Sequence, residues 1–170
     1  MSEPFTRYSE QKLRQYLDRI QVCLGKLTAD QVWARGHETE NSAANLLLHL
    51  EGNLRQWILS GVAGRPDTRD RDSEFAARGG IEMEQLREQL YSTVDQVCGV
   101  IRGLTTDELA RVVRIQGFEV TVLEAVYQIV EHFAYHTGQI VFITKAATGE
   151  DLGFHRFLAH NRAAAAETVP

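Results

Sequence analysis

The feature that most narrows what this chain can become is a run of three- and four-residue steps towards its end: Val122, Ala125, Ile129, His132, His136, Ile140, Ile143 and Ala147. Only a helix brings residues at those intervals onto one face, and a face this apolar turns inward. The stripe carries two histidines four residues apart, so their rings leave the helix one turn from each other. One imidazole on a buried face is usually satisfied by a local hydrogen bond, whereas two stacked there, with a third on another helix, call for a shared partner. A metal ion is such a partner, because imidazole binds zinc, nickel, copper or iron well. The segment opens with Thr121-x-x-Glu124, a capping box, and stops at Gly149.

Three further segments show the same helical period. The first runs from about Phe5 to Leu27, with Leu13, Leu17, Ile20, Leu24 and Leu27 on one side. The second, AANLLLHLEGNLRQWILS, follows Asn41 or Ser42 as N-cap and ends before Gly61. Its inward face holds Leu46, His49, Asn53 and Trp57, so His49 is the candidate third imidazole. The third spans about Ile81 to Arg102, with Leu86, Leu90, Val94, Val97 and Ile101 buried. TTDELARVV suggests a short helical turn, and the Gln116-Gly117 step after it a small hairpin before the fourth helix.

Between the second and third helices, residues 61 to 80 lack clear periodicity and set Arg65, Arg69, Arg71 and Arg78 against Asp67, Asp70, Asp72 and Glu74. Such a stretch reads as a solvated connection laced with weak ion pairs. Long irregular segments are also often functional, so one of its arginines is a candidate to hold a carboxylate-bearing substrate at the mouth of a site. His37 precedes the second helix, and His155 and His160 read as surface residues. The pattern as a whole is an all-α, antiparallel four-helix bundle with a long crossover between helices 2 and 3. It forms one domain over residues 1–160, and residues 161–170 form a frayed tail after Phe154 to Leu158 dock on the bundle.

A formal net charge of -5 over 170 residues argues against broad nucleic-acid binding. No apolar run approaches the roughly 20 residues that cross a bilayer, and the polar start MSEPFTRYSEQ lacks a leader's apolar core, so a cytoplasmic protein is expected. Cys23 and Cys98 sit among apolar residues, as buried free thiols do. Trp33 and Trp57 are candidates for an exposed apolar patch.

LLLHLEGNLRQW, DTRDRDSEFAAR and VEHFAYHTGQI together resemble the DinB/YfiT-like superfamily of metal-binding four-helix bundles, over nearly the whole chain. They look like one bacterial branch of it. The resemblance makes His49, His132 and His136 the metal ligands, and implies a zinc- or nickel-type divalent ion and a homodimer. Superfamily members include transferases and isomerases that use low-molecular-weight thiols.

Three functions follow as expectations. The first is a metal-dependent thiol S-transferase, in which a small-molecule thiol binds as thiolate and attacks a small electrophile, with Asn53 and Gln139 placed to touch substrate or orient a ligand. The second is a metal hydrolase at the same site, weakened because Glu51 and Glu131 point away from the ligand face. The third is a metal-stabilised interaction protein with no turnover.

Overall fold

The computed structural model describes residues 2–155. The expected tail over 161–170, His160, and the Phe157 and Leu158 part of the docking segment lie outside them, while Leu152 and Phe154 pack against the core. Four long helices make the bundle: α1 (Ser2–Leu24), α3 (Ala43–Leu54, prolonged by π-helical Arg55–Ser60), α5 (Met83–Arg102) and α7 (Val122–Thr148). Shorter elements connect them: α2 (Ala29–Trp33), α4 (Arg71–Ala76), α6 (Thr106–Ala110) and a hairpin of β1 (Val112–Ile115) and β2 (Phe118–Thr121).

Helix starts follow local chemistry. Ser42 and Thr121 each accept from the backbone three residues on, and Asn45 and Glu124 bond back to them, closing a capping box at both α3 and α7. Gly149 ends α7 in the left-handed region, at φ 70°. Gln116 and Gly117 both take positive φ, 54° and 86°, which makes the hairpin a two-residue turn of the mirror-image type and pairs Ile115 with Phe118.

Both α1 and α3 pack on α5 and on α7, so α1 and α3 stand diagonally opposite. Gln21, Arg14 and Glu10 of α1 meet Arg87, Asp95 and Arg102 of α5 in reversed order, which makes that pair antiparallel. Tyr16 stacks on Phe133 and Lys26 pairs with Glu150, so α1 and α7 run the same way. In α3, His49 faces His132 and His136, while Gly61 at its far end abuts Ile115, just ahead of α7. The α3–α7 pair is therefore antiparallel, and α3 and α5 point in one direction. A tight turn joins only antiparallel neighbours, which is why the chain needs its long crossover there.

The core is the set of apolar stripes read from sequence: Leu13, Leu17 and Ile20 from α1, Leu46, Leu50 and Leu54 from α3, Leu90, Val94 and Ile101 from α5, and Ile129 and Ile140 from α7 are all buried. Three local expectations need correcting. The first helix stops at Leu24, because Thr28 caps the separate α2. The crossover is not irregular throughout, since Asp70 accepts from Ser73 N–H and starts α4. Trp57 belongs to no exposed patch: it is 7% exposed, and the half-buried Trp33 donates its indole N–H to the Ile81 carbonyl. Among the described residues no helix is long and apolar enough to cross a membrane.

Candidate metal centre

The two histidines of α7 and the one of α3 converge. His49 and His136 are buried and His132 is half-buried, and one nitrogen from each lies within 4.8 Å of the others. His49 Nε2 and His132 Nε2 are 2.9 Å apart, and the three rings meet edge to face with centroids 4.4 to 5.0 Å from one another. The Phe75 ring of α4 lies 4.7 Å from that of His49, and Tyr135 lies 5.0 Å from His136.

Two of the rings are held by their other nitrogen. His49 Nδ1 is 2.9 Å from Glu74 Oε2, and His136 Nδ1 is 2.6 Å from Gln139 Oε1. A carboxylate and an amide oxygen both accept, so each Nδ1 carries the proton and each Nε2 keeps its lone pair. Outer acceptors of this kind orient histidine ligands and raise their basicity.

Glu74 is itself anchored. Arg69 donates to it twice, from Nε at 2.7 Å and from Nη2 at 2.9 Å, and both side chains are buried. Arg69 Nη2 also lies 3.1 Å from His49 Nδ1; a guanidinium only donates, so both groups aim at the one carboxylate. α4 is clamped by its backbone as well. Asn45 Nδ2 donates to the carbonyls of Glu74 and Ala77, and Arg35 Nη2 donates to those of Phe75 and Ala77. Gly52 leaves the space this needs, because a Cβ there would lie 2.1 Å from Glu74 Oε1.

Electrostatics keep the α7 rings uncharged. Burial first, then His136, His49, Arg69 and Arg71, push His132 down to about 4. Burial likewise lowers His136 against the opposing hydrogen bond to Gln139. For Glu74, burial would raise the pKa, and the bonds from Arg69 and His49 overturn it, so the carboxyl is held below its ordinary range and ionised.

A shared ion fits this donor set. The imidazoles present nitrogens 2.9 to 4.8 Å apart, a range that contains the roughly 3.3 Å separation of nitrogens around tetrahedral zinc. An ion held by three protein ligands would keep a coordination position open. Zinc, nickel, copper and iron all suit imidazole.

Of the other candidates, Asn53 is buried one turn beyond His49, and Gln139 contacts His136 directly. Glu51 accepts from Thr93 and pairs with Arg55, and Glu131 is exposed, so neither faces the rings. His37 and His155 are exposed and stand outside the cluster. Within the crossover, the solvated reading fails for Arg69 and Glu74, whose pairing is buried, and Arg69 is spent on Glu74 rather than free for a substrate. Arg65 bonds Gln96, Arg71 lies over Phe75, and Arg78 donates to the carbonyls that end α4. Sequence reasoning missed Glu74 and Gly52 as site residues, and only one signal pointed to them. That signal was a glycine inside the apolar second helix, three residues after His49, facing a crossover that contains a glutamate.

The fold is that of DinB-like helical bundles. A conserved protein from Enterococcus faecalis superposes with a TM-score of 0.71 at 18% identity, covering 85% of this chain and 98% of its own. A DinB-like protein from Bacillus subtilis, YjoA, superposes with a TM-score of 0.62 at 18% identity, covering 85% of this chain and 97% of its own. No curated protein matches the sequence. Over residues 1–157 the chain matches the family described as "Protein of unknown function (DUF1572)", and it belongs to that family.

Proposed function

We propose that the protein binds a divalent metal ion, zinc or nickel, through His49, His132 and His136, and uses it to transfer a low-molecular-weight thiol onto a small electrophile. The observation that carries this reading is the convergence of three imidazoles, two with Nδ1 already committed to Glu74 and Gln139. When bound, the ion supplies a positive charge that favours thiolate over thiol, whose free pKa is about 8.5. The chain's own residues do the rest. Glu74 and Arg69 fix the His49 ring, Gln139 fixes that of His136, and Phe75 and Tyr135 flank the cluster with apolar surface. In the overall reaction the thiol gives up its proton to solvent, its sulfur forms the new bond to the electrophilic carbon, and the bond from that carbon to its leaving group breaks, the leaving group departing with the electron pair.

Transfer is favoured over hydrolysis by what faces the rings. A hydrolase needs a positioned general base. Among the described residues the carboxylate nearest the cluster is Glu74, which Arg69 and His49 saturate, while Glu51 and Glu131 lie elsewhere. The test is a panel of small thiols assayed with a chromogenic electrophile on metal-loaded protein and on His136→Ala. Conjugation by the wild type, lost together with metal in the variant, supports the proposal. Conjugation at an equal rate by the metal-free variant overturns it.

A further inference from the structure

Beside the three histidines, between the start of α3 and the last turns of α7, the surface opens into a cavity of about 960 Å³. Gln139 belongs to its wall and also holds His136 Nδ1 at 2.6 Å, so the cavity and the histidine cluster share a side chain. Tyr135 does the same through its contact with the His136 ring. One side is apolar: Phe142, Ile143 and Ala146 line it, and Phe142 and Tyr135 are 73% and 64% exposed.

The other side carries Arg35, whose charge no carboxylate among the described residues pairs with. Among the described residues, every hydrogen bond made by Arg35 runs through Nη2, to Asn45 and to the carbonyls of Phe75 and Ala77. Its Nε is buried, with no hydrogen-bond partner among them. In the smaller adjoining cavity, whose wall Arg35 also forms, Arg78 and Glu38 bring one charge of each sign. The rim carboxylate of Glu40 is turned onto the Gly36 amide at 2.7 Å. A guanidinium that lines a cavity with no carboxylate paired to it favours an anion. The flat apolar wall favours a ring or chain. Glu40 nearby favours a single negative charge over a doubly charged phosphate.

We infer that this cavity is the binding site for the electrophilic substrate and that the substrate is an amphipathic carboxylate, its head at Arg35 and its apolar body along Tyr135 and Phe142. The inference rests on the transfer reading for the word electrophile, but the site itself stands on the cavity and Arg35. Binding without turnover tests it. Calorimetric titration of the protein as purified with 2-naphthoate, with the neutral 2-naphthylmethanol and with naphthyl phosphate measures the head-group preference.

The wild type is expected to bind naphthoate about ten-fold more tightly than the alcohol, and more tightly than the phosphate, as one charge-assisted hydrogen bond gives. Phe142→Ser, at an exposed position, should weaken both naphthoate and alcohol about ten-fold through lost apolar contact. Arg35→Gln should remove the preference for the carboxylate while leaving alcohol binding in place. Should Arg35→Gln fail to fold, the wild-type preference and the Phe142→Ser loss decide together. Equal binding of naphthoate and alcohol, tighter binding of the phosphate, or no binding of either ring overturns the inference. Metal content in the same samples separates the two proposals. A metal-holding protein that refuses the rings overturns this inference alone, and a protein that takes up no ion even when zinc or nickel is supplied, yet binds naphthoate, supports it while overturning the transfer reading.

Discussion

Gly52→Ala should be far more damaging than a helical glycine-to-alanine change has any general reason to be. In an ordinary helix interior the change stabilises by roughly 0.5–1 kcal/mol, because glycine loses more backbone entropy on folding. Here the new methyl would lie 2.1 Å from Glu74 Oε1, 3.0 Å from Arg69 Nε and 3.1 Å from Glu74 Cδ. Neither side chain can swing freely aside, since both are buried and joined to each other and to His49. Two contacts are at stake, Arg69 to Glu74 at 2.7 Å and His49 to Glu74 at 2.9 Å. Charge-assisted hydrogen bonds contribute about 1.5–3 kcal/mol each, so with partial relaxation and the propensity gain set against them the net loss is about 2–4 kcal/mol. Gly99→Ala in α5 is the control, because its Cβ would meet nothing within 4 Å, and it should stabilise by roughly 0.5–1 kcal/mol. Chemical denaturation of the metal-free proteins at pH 7 measures both. A Gly52→Ala protein as stable as wild type would refute the claim that this glycine exists to admit Glu74.

Other outcomes follow from the same geometry. Gln139→Ala should weaken metal binding about ten-fold, read by competition with a chromophoric chelator, with little change in metal-free stability. Metal-free protein should lose stability as pH falls from 6.5 towards about 4, because His132 is depressed to about 4 and so protonates first in the unfolded chain. The slope from that group approaches about 1.4 kcal/mol per pH unit, and denaturant midpoints for wild type and His132→Asn across this window should show it flattened in the variant. Glu74, held low, adds a further loss as pH falls through its lowered range. Burial pushes Cys98 up to about 11, so an aromatic disulfide reagent at pH 8 should leave it unmodified in the native protein and modify it in denaturant.

The bundle was legible because its information is periodic. The stripes of α1, α3, α5 and α7 each repeat at helical spacing over four or more turns, and Ser42, Thr121 and Gly149 mark ends by local hydrogen bonding or backbone conformation. The meeting of His49 with His132 and His136 was legible for the same reason, since residues on inward faces of packed helices have few places to go. What stayed hidden was carried by the crossover. α4 is six residues long, too short for a period, and Glu74 looks like any charge in a run of charges until tertiary contacts bury it. The direction of α5 relative to α3 was equally silent, because a long connection permits either sense. Gly52 showed only as a missing side chain inside an apolar helix.

Elemental analysis of untagged wild-type protein beside His49→Ala and His136→Ala, each checked for folding by circular dichroism, tests the central claim most directly. Near-stoichiometric divalent metal is expected in the wild type, lost from both variants while the helical bundle persists. A wild type that takes up no ion even when zinc or nickel is supplied would contradict it, leaving three histidines that satisfy one another as a polar cluster in the core.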